Sequence, residues 1–368
     1  MILDEVDPAA RAVLERYGFD AARFEELRAR VAAGELSAAG NAVAGRVEPI
    51  RDEDLTPLPA PGEPGHEEAR AAGAEAIRAG AVAVLVLAGG MATRFGGVVK
   101  ALVEAVDGRS FLDLKLDDAD RVARALGGEA PVALMTSFAT DEAVRAHLAG
   151  RPGSPPLVFA QLAAPRLAPD GSLFREPGGA VSLYGPGHGD LLEAIRDSGA
   201  LDALRARGVR QLLVSNVDNL GARLDPAVVG AHLLAGRPYT TEVADREGDP
   251  GGAPARVDGR PVLLEGPRFP PGFDHEATPV FNTNTGLIAV DVLDRDYPLT
   301  WLYVEKEVEG RTAVQLERVY HELSAFVPTT FLRVPRRGPR GRFFPIKVPA
   351  DLERSRDELG ALLATPLA

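Results

Sequence analysis

The apolar run AVAVLVLA at residues 81–88 is the feature that most restricts how this chain can fold. It has no polar face, which is typical of a strand buried on both sides within a parallel sheet. The glycine-rich segment LAGGMATRFGG, at 87–97, overlaps its end. A strand ending in such a turn places backbone N–H groups at the carboxyl edge of a sheet, where they can bind phosphate. The glycine spacing matches neither common nucleotide-binding motif.

Helical and strand patterns alternate along much of the chain. Further strand patterns are PVALMTS at 131–137, PLVFAQ at 156–161 and RQLLVSNVDN at 210–219, and helical patterns lie between them. This alternation predicts an α/β fold with a mixed, mostly parallel sheet flanked by helices. Residues 247–272 are rich in Gly and Pro and predict loops around a short hairpin.

Composition restricts the class of protein. The net charge of −12 argues against nucleic acid as a partner. The absence of cysteine excludes disulfides and thiolate metal sites. No apolar run approaches the roughly 20 residues of a membrane span, and the N-terminus carries acids where a signal peptide needs bases. We therefore expect a cytoplasmic protein without a membrane partner.

Lysine is scarce in this chain. Of 41 basic residues only four are lysines, namely Lys100, Lys115, Lys306 and Lys347. A lysine retained among so many arginines is a candidate for a site that needs a compact point charge. Lys100 and Lys347 are predicted to be of this kind. Lys115 is predicted to be an incidental residue on a helix outside any site, tolerant of arginine.

The stretch LAGGMATRFGGVVKALVEAVDGRSFLDLK resembles the start of the nucleotidyltransferase domain in the UDP-sugar pyrophosphorylase family, and within it the eukaryotic-type UTP–glucose-1-phosphate uridylyltransferases. Seven further blocks stand in the family's order between about residues 81 and 350: LMTSFATDEAVRAHL, FAQLAAPRL, GPGHGDLLEAI, LLVSNVDNLGA, FNTNTGLI, AVQLE and RFFPIKVPADL. The resemblance implies a GT-A/Rossmann-like nucleotidyltransferase fold. The implied reaction joins UTP and a sugar 1-phosphate, with glucose 1-phosphate expected, to give UDP-sugar and pyrophosphate.

The resemblance also suggests how the chain is divided. Residues 1–80 would form an N-terminal helical extension with a Pro-rich connector, 81–350 the nucleotidyltransferase catalytic domain, and 351–368 a helical tail. Eukaryotic-type members carry a C-terminal β-helix after the last block. The sequence ends soon after that block, so we expect no such domain and a monomer or small homo-oligomer.

Roles for single residues are implied by the same resemblance. The nucleotide-binding residues would be Leu87, Ala88, Gly89, Gly90, Thr93, Gln161 and Gly187. The residues nearest the sugar would be His188, Asn216, Glu265 and Asn284. The catalytic residues, which would neutralise phosphate charge, would be Arg94, Lys100 and Lys347. Asp218 would hold Mg²⁺, because one carboxylate alongside phosphate oxygens is the usual magnesium pattern.

Other functions remain open at this point. The same fold could use another nucleotide or an unusual sugar or cyclitol phosphate, and a nucleotide-sugar-binding protein without catalysis is a third reading. Thr285 and Gly286 stand where the family more usually has an Asn-Leu pair. That departure leaves the identity of the sugar open. The four charged residues Arg94, Lys100, Asp218 and Lys347 favour an active enzyme.

Overall fold

The computed structural model describes residues 2–92, 97–249, 251–346 and 349–367. The helices in these ranges are α1 Ile2–Glu5, α2 Pro8–Arg16, α3 Ala21–Ala32, α4 His66–Arg78, α5 Phe111–Ala125, α6 Asp141–Ala149, α7 Leu191–Asp197, α8 Ala200–Ala206, α9 Pro226–Ala235, α10 Pro349–Arg354 and α11 Arg356–Ala364. The strands are β1 Val47–Pro49, β2 Leu55–Pro57, β3 Val82–Leu87, β4 Met91–Ala92, β5 Val98–Val99, β6 Glu104–Val106, β7 Arg109–Ser110, β8 Val132–Thr136, β9 Leu157–Ala160, β10 Ala164–Pro165, β11 Leu183–Tyr184, β12 Gln211–Asn216, β13 Tyr239–Asp245, β14 Ala253–Val257, β15 Arg260–Leu264, β16 Val280–Ala289, β17 Leu302–Val308, β18 Arg311–Glu317 and β19 Thr329–Arg333.

The largest sheet among the described residues has eight strands in the order β2-β19-β13-β16-β12-β3-β8-β9. Strand β16 is antiparallel to both its neighbours, and the other adjacent pairs are parallel. The predicted mixed, mostly parallel sheet with flanking helices is therefore confirmed. No helix in the described ranges is long and apolar enough to cross a membrane.

The continuous apolar run is explained by the position of β3 in this sheet. All six residues of β3 are buried. Val82, Val84 and Val86 pack in one core cluster with residues of α4, α5 and α9. Ala83, Leu85 and Leu87 face the opposite side and pack with residues of α7 and α8. Because both faces are covered by helices, neither face of the strand can be polar.

Helices α4 and α9 touch backbone to backbone. A Cβ atom added at Gly73 of α4 would overlap the carbonyl oxygen of Pro226. A Cβ atom added at Gly230 of α9 would overlap that of Ala69. Small residues on both helices permit this approach, so the glycines are required by packing rather than by backbone conformation.

Strands β1 and β2 are among those that lie outside the predicted pattern. The segment predicted as a Pro-rich connector contains β2, which pairs with β19 at the edge of the main sheet. The predicted hairpin is present as β14 and β15, and β1 adds a third antiparallel strand to it. Short edge strands with prolines carry little hydrophobic pattern, so the alternation of apolar residues does not reveal them.

The contact between α4 and α9 gives a stability prediction. Gly230→Ala should lower the free energy of unfolding by about 3 kcal/mol or more, because the added methyl group meets backbone that cannot rotate away. The matched control is Gly360→Ala in α11, where a Cβ atom meets no heavy atom within 4 Å. That variant should be neutral or slightly more stable. Denaturant unfolding compares the two, and equal stabilities would contradict the close contact.

Candidate functional site

The candidate site begins where β3 and β12 end side by side. The two strands pair in parallel through six consecutive residues, and the last pair is Leu87 with Asn216. The backbone N–H of Val217 then donates to the carbonyl of Leu87 over 3.2 Å. The loops that follow the two strands therefore leave the sheet next to each other at its carboxyl edge.

Hydroxyl groups hold the first residues of the glycine-rich loop. Thr140 Oγ1 donates to the carbonyl of Ala88 over 3.0 Å, and Ser137 Oγ donates to that of Gly89 over 2.8 Å. The carbonyl of Gly90 accepts from the backbone N–H of Lys100 over 3.2 Å and so closes the base of the loop. Thr93 and Arg94 lie outside the described residues, and their roles stay predictions.

The side chain of Gln161 lies between two glycines. A Cβ atom at Gly89 would lie 3.0 Å from Gln161 Nε2, and one at Gly185 would overlap the carboxamide. The backbone N–H of Gln161 donates to Thr136 O over 2.9 Å, which fixes the start of the side chain. Gly185 was not among the predicted site residues. It stands two residues before Gly187 in the same glycine-rich block, which is the only sequence signal for it.

The loop with Gly187 and His188 is attached to the end of β18. Gly187 has φ +92°, and a Cβ atom there would lie 2.5 Å from Arg318 O. The Arg318 guanidinium binds Asp190 over 2.7 Å and Glu193 over 2.6 Å. Asp190 in turn accepts from the backbone N–H next to Gln161 over 3.1 Å. One ion-pair network thus sets both the Gly187 loop and the residue following Gln161.

Lys100 and Asp218 are in direct contact at the sheet edge. Lys100 Nζ hydrogen-bonds Asp218 Oδ2, and the two side chains are 22% and 14% exposed. Among the described residues no group of three or more His, Asp or Glu side chains is arranged to hold a metal. Any cation at Asp218 would therefore take most of its ligands from bound phosphate or water.

Asn219 attaches a distant segment to the Asp218 loop. Its Oδ1 accepts from the backbone N–H of Phe344 over 2.8 Å, and its Nδ2 donates to Arg342 O over 3.1 Å. The backbone N–H of Ile346 donates to Asp218 O over 3.2 Å. Asn219 is thus a buried structural residue. Lys347 lies outside the described residues, and its role stays a prediction.

The residues predicted near the sugar form a second cluster. Asn284 has φ +55°, and its Nδ2 donates to Asn216 Oδ1 over 2.9 Å. Glu265 Oε2 lies 2.8 Å from Nε2 of His321. Burial raises the pKa of Glu265, but the hydrogen bond from His321 outweighs it and the pKa is lowered overall, so the carboxylate is charged.

Two histidines complete this cluster. The rings of His188 and His321 have centroids 5.4 Å apart, and Tyr320 lies against both. Burial, together with the neighbouring His321, lowers the pKa of His188 to about 3. His188 is therefore neutral at physiological pH. His321 was missed in the sequence, because no motif surrounds it and only the contact between the side chains reveals its place.

The Thr285-Gly286 departure has a packing explanation. Thr285 is fully buried, and its hydroxyl accepts from Asn219 Nδ2 over 3.3 Å. A Cβ atom at Gly286 would lie 2.6 Å from the carbonyl of Thr240 on β13. Both positions are therefore used for contacts within the protein, Thr285 with Asn219 and Gly286 with β13.

Lys115 lies on helix α5 as predicted, but the prediction that it is an incidental residue is wrong, and its tolerance of arginine stays a prediction. The side chain is 5% exposed and lies behind the Asp218 loop, where Nζ donates to Ser215 Oγ over 3.1 Å and to Ala222 O over 2.8 Å. It thereby joins the end of β12 to the far end of the loop. A larger, planar guanidinium would have to displace these buried partners. The helical pattern of α5 did not reveal this, because β12 and the loop are about 100 residues away in sequence.

The fold and the site together define an α/β protein in which a glycine-rich loop, a glutamine held between two glycines and a lysine–aspartate pair lie at the carboxyl edge of the sheet. A family model described as UTP--glucose-1-phosphate uridylyltransferase matches residues 30–363. The chain belongs to the UTP–glucose-1-phosphate uridylyltransferase family.

Individual relatives agree with this assignment. The UTP–glucose-1-phosphate uridylyltransferase of Saccharomyces cerevisiae is 32% identical over 76% of this chain, and that of Solanum tuberosum 29% over 76%. The chain spans about three fifths of the length of these relatives, 60% and 62%. A UDP-glucose phosphorylase from Trypanosoma brucei matches in structure with a TM-score of 0.74 at 25% identity, over 94% of this chain and 78% of that one. A Leishmania major UDP-glucose pyrophosphorylase mutant in complex with UDP-glucose gives 0.70 at 24%, with the same coverage.

The burial of Lys115 predicts how stability depends on pH. Burial lowers the pKa of Lys115 to about 7 from 10.5. Between these pH values the unfolded chain binds the Lys115 proton more tightly than the folded chain does. Burial of the charged side chain therefore destabilises the fold below pH 7, and this cost falls as the pH rises. Relative to Lys115→Met, the wild type should gain stability from pH 7 to 9.5.

Thermal melts of the wild type and Lys115→Met at pH 6, 7.5 and 9 measure this effect. The control is Lys306→Met, since the Lys306 side chain is 48% exposed. Its melting temperature should follow that of the wild type at each pH. Parallel curves for the wild type and Lys115→Met would show that Lys115 does not titrate in this range.

Proposed function

We propose that this chain is a nucleotidyltransferase that joins UTP and glucose 1-phosphate to form UDP-glucose and pyrophosphate. The observation that carries the proposal is the convergence of the glycine loop, Gln161 and the Lys100–Asp218 pair at one sheet edge, in a member of this family. The Leishmania major structure, which contains UDP-glucose, supports the choice of product.

The chemistry requires alignment and positive charge more than proton transfer. A phosphate oxygen of the sugar 1-phosphate attacks the α-phosphorus of UTP. The bond from that phosphorus to the bridging oxygen of the β-phosphate breaks, and pyrophosphate leaves with the electron pair. Because the nucleophile is already an anion, no general base is needed. Lys100 would bind the nucleotide phosphates, and Arg94 and Lys347 are proposed to share this charge.

Gln161 is proposed to read the base. A carboxamide offers one acceptor and one donor group. Uracil presents an N–H donor next to a carbonyl acceptor, which such a group can pair with on both sides. The close fit between Gly89 and Gly185 would hold the carboxamide in one plane. The backbone of Leu87, Ala88, Gly90 and Gly187 would complete the nucleotide site.

Asp218 is proposed to hold Mg²⁺. A single carboxylate fits this ion, because Mg²⁺ commonly takes its remaining ligands from phosphate oxygens and water. When bound, the ion would neutralise charge on the phosphates. The residues of the second cluster, His188, Asn216, Glu265 and Asn284, are proposed to bind the sugar.

A pyrophosphate-release assay tests the reaction as a whole. The protein is incubated with each of the four nucleoside triphosphates against glucose, galactose and N-acetylglucosamine 1-phosphates. The proposal expects the highest kcat/KM for UTP with glucose 1-phosphate. The absence of pyrophosphate release with every pair would refute the enzymatic function.

The metal assignment predicts strict dependence on a divalent cation. Asp218→Asn should keep the fold and lower kcat by about 10²–10³, the usual effect of losing one charge-stabilising group. Asp245→Asn is the matched control, because that carboxylate lies on β13, is 58% exposed and pairs with Arg333. Near-wild-type turnover of Asp218→Asn in EDTA would refute the metal assignment.

The base assignment predicts a change in nucleotide preference. Gln161→Ala should reduce the ratio of kcat/KM for UTP over CTP by about 30-fold, as expected for the loss of a pair of hydrogen bonds worth about 1 kcal/mol each. Gln211→Ala, at the opposite end of β12, should leave the ratio unchanged. If both variants keep the wild-type preference, the base is recognised by other groups.

A further inference from the structure

His321 lies at the centre of a row of hydrogen-bonded side chains. It is 2% exposed, with Nε2 2.8 Å from Glu265 Oε2 and Nδ1 3.4 Å from Asn282 Nδ2. Asn282 Oδ1 accepts from the backbone N–H of Asn284 over 3.0 Å. Asn284 in turn donates to Asn216 over 2.9 Å. The row runs without a break from the end of β15 to the end of β12. It therefore connects the outlying hairpin to the edge of the main sheet.

The neighbours of the ring determine its hydrogen bonds. Nε2 faces a carboxylate, which can only accept, so Nε2 carries a hydrogen. With its hydrogen on Nε2, the ring accepts at Nδ1 from Asn282 Nδ2 over 3.4 Å. Because Asn282 Oδ1 accepts from the backbone N–H of Asn284, the ring reaches Asn284 through Asn282. The ring therefore holds Glu265 on one side and the asparagines of β16 on the other.

Fixed acceptors matter for recognising a sugar. Sugars of one size differ in the direction of single hydroxyl groups, so they are distinguished by hydrogen bonds. A site built to bond a hydroxyl can reject an analogue without it by about 10⁴–10⁵. This requires groups held within about 0.5 Å by their supporting contacts. His321 engages one oxygen of Glu265 and thereby sets the direction of the other.

We propose that His321 is the positioning residue that sets the selectivity among sugar 1-phosphates. It does so by holding Glu265 and Asn284 in the arrangement that meets the sugar hydroxyls. The inference rests on the proposed function, in which these two residues bind the sugar. Tyr320, packed edge-on, and His188, packed at a tilt, keep the ring from rotating.

A second histidine provides a matched control. His232 is also 2% exposed, and its two ring nitrogens lie 2.8 Å from Thr240 Oγ1 and 2.9 Å from Gln211 Oε1. Gln211 begins β12, so this histidine lies at the edge of the sheet opposite to the candidate site. His232→Phe therefore reports the general cost of removing a buried, bridging imidazole.

The experiment measures binding and selectivity in the full chain. His321→Phe keeps a ring but removes the hydrogen bonds, His321→Gln keeps a donor that reaches Glu265, and His321→Asn is too short to reach it. Titration calorimetry gives the Kd of UDP, UDP-glucose and UDP-galactose for each variant. The kcat/KM values for glucose and galactose 1-phosphates are measured at saturating UTP.

The proposal expects a loss confined to the sugar. His321→Phe should bind UDP-glucose about 10- to 100-fold more weakly, the usual effect of losing a hydrogen bond to a charged group, while its affinity for UDP changes less than about twofold. The preference for glucose over galactose should shrink by a similar factor. His321→Gln should recover part of this loss and His321→Asn should not. His232→Phe should keep wild-type selectivity.

Different results overturn different claims. If the wild type binds UDP-glucose no more tightly than UDP, the proposed sugar site is wrong and the inference fails with it. If the wild type discriminates and a folded His321→Phe discriminates equally well, only the role of His321 is wrong. Should the phenylalanine variant fail to fold, equal selectivity in the glutamine and asparagine variants overturns the role, and a selective glutamine variant beside an unselective asparagine variant supports it.

Discussion

The parallel register of β3 with β12 is the constraint on which the candidate site depends. The six residue pairs end with Leu87 opposite Asn216, so the glycine loop and the Asp218 loop begin side by side at the same edge of the sheet. A slip of one residue would exchange the two faces of β3 between their core clusters and displace the two loops from each other. Burial of both faces of β3 forbids such a slip, because each face has its own apolar cluster. The hydrophobic core therefore fixes the position of polar groups that never enter it.

Much of the sheet could be predicted, because the sequence signals that mark its strands are local. Buried parallel strands leave long apolar runs, and helices between them leave regular spacing, so β3, β8, β9 and β12 are visible in the sequence. The reversal of β16 and the edge strand β2 depend on distant pairing and leave no such mark. The same holds at the site. Gln161 and Asp218 end predicted strands and follow family blocks. His321 acquires its meaning only from Glu265 and Asn284, which lie 56 and 37 residues away.

Buried charged side chains stabilise the part of the protein next to the candidate site. Arg342 binds Glu242 through two hydrogen bonds of 2.9 and 2.6 Å, and both side chains are at most 2% exposed. Arg223 binds Asp118 in the same region over 2.9 Å. Among the described residues Lys115 hydrogen-bonds a hydroxyl and a carbonyl rather than a carboxylate, so it retains much of the cost of burial. Its structural role is to fix the conformation of the loop from β12 to α9, which carries Asp218 and Asn219.

In the proposed function, the two clusters at the sheet edge have different chemical roles. His188 is neutral, because burial lowers its pKa to about 3, and its Nδ1 accepts from the backbone N–H of Tyr320 over 3.3 Å. Its remaining N–H is an uncharged donor, suited to a hydroxyl and of little use for neutralising phosphate. In the proposed reaction the positive charge comes from other residues, among them Lys100, which lies beside Asp218. That pair is neutral as a whole in a chain of net charge −12. A nucleotide phosphate would compete with Asp218 for the ammonium, and the carboxylate released by this exchange is the group proposed to hold the metal.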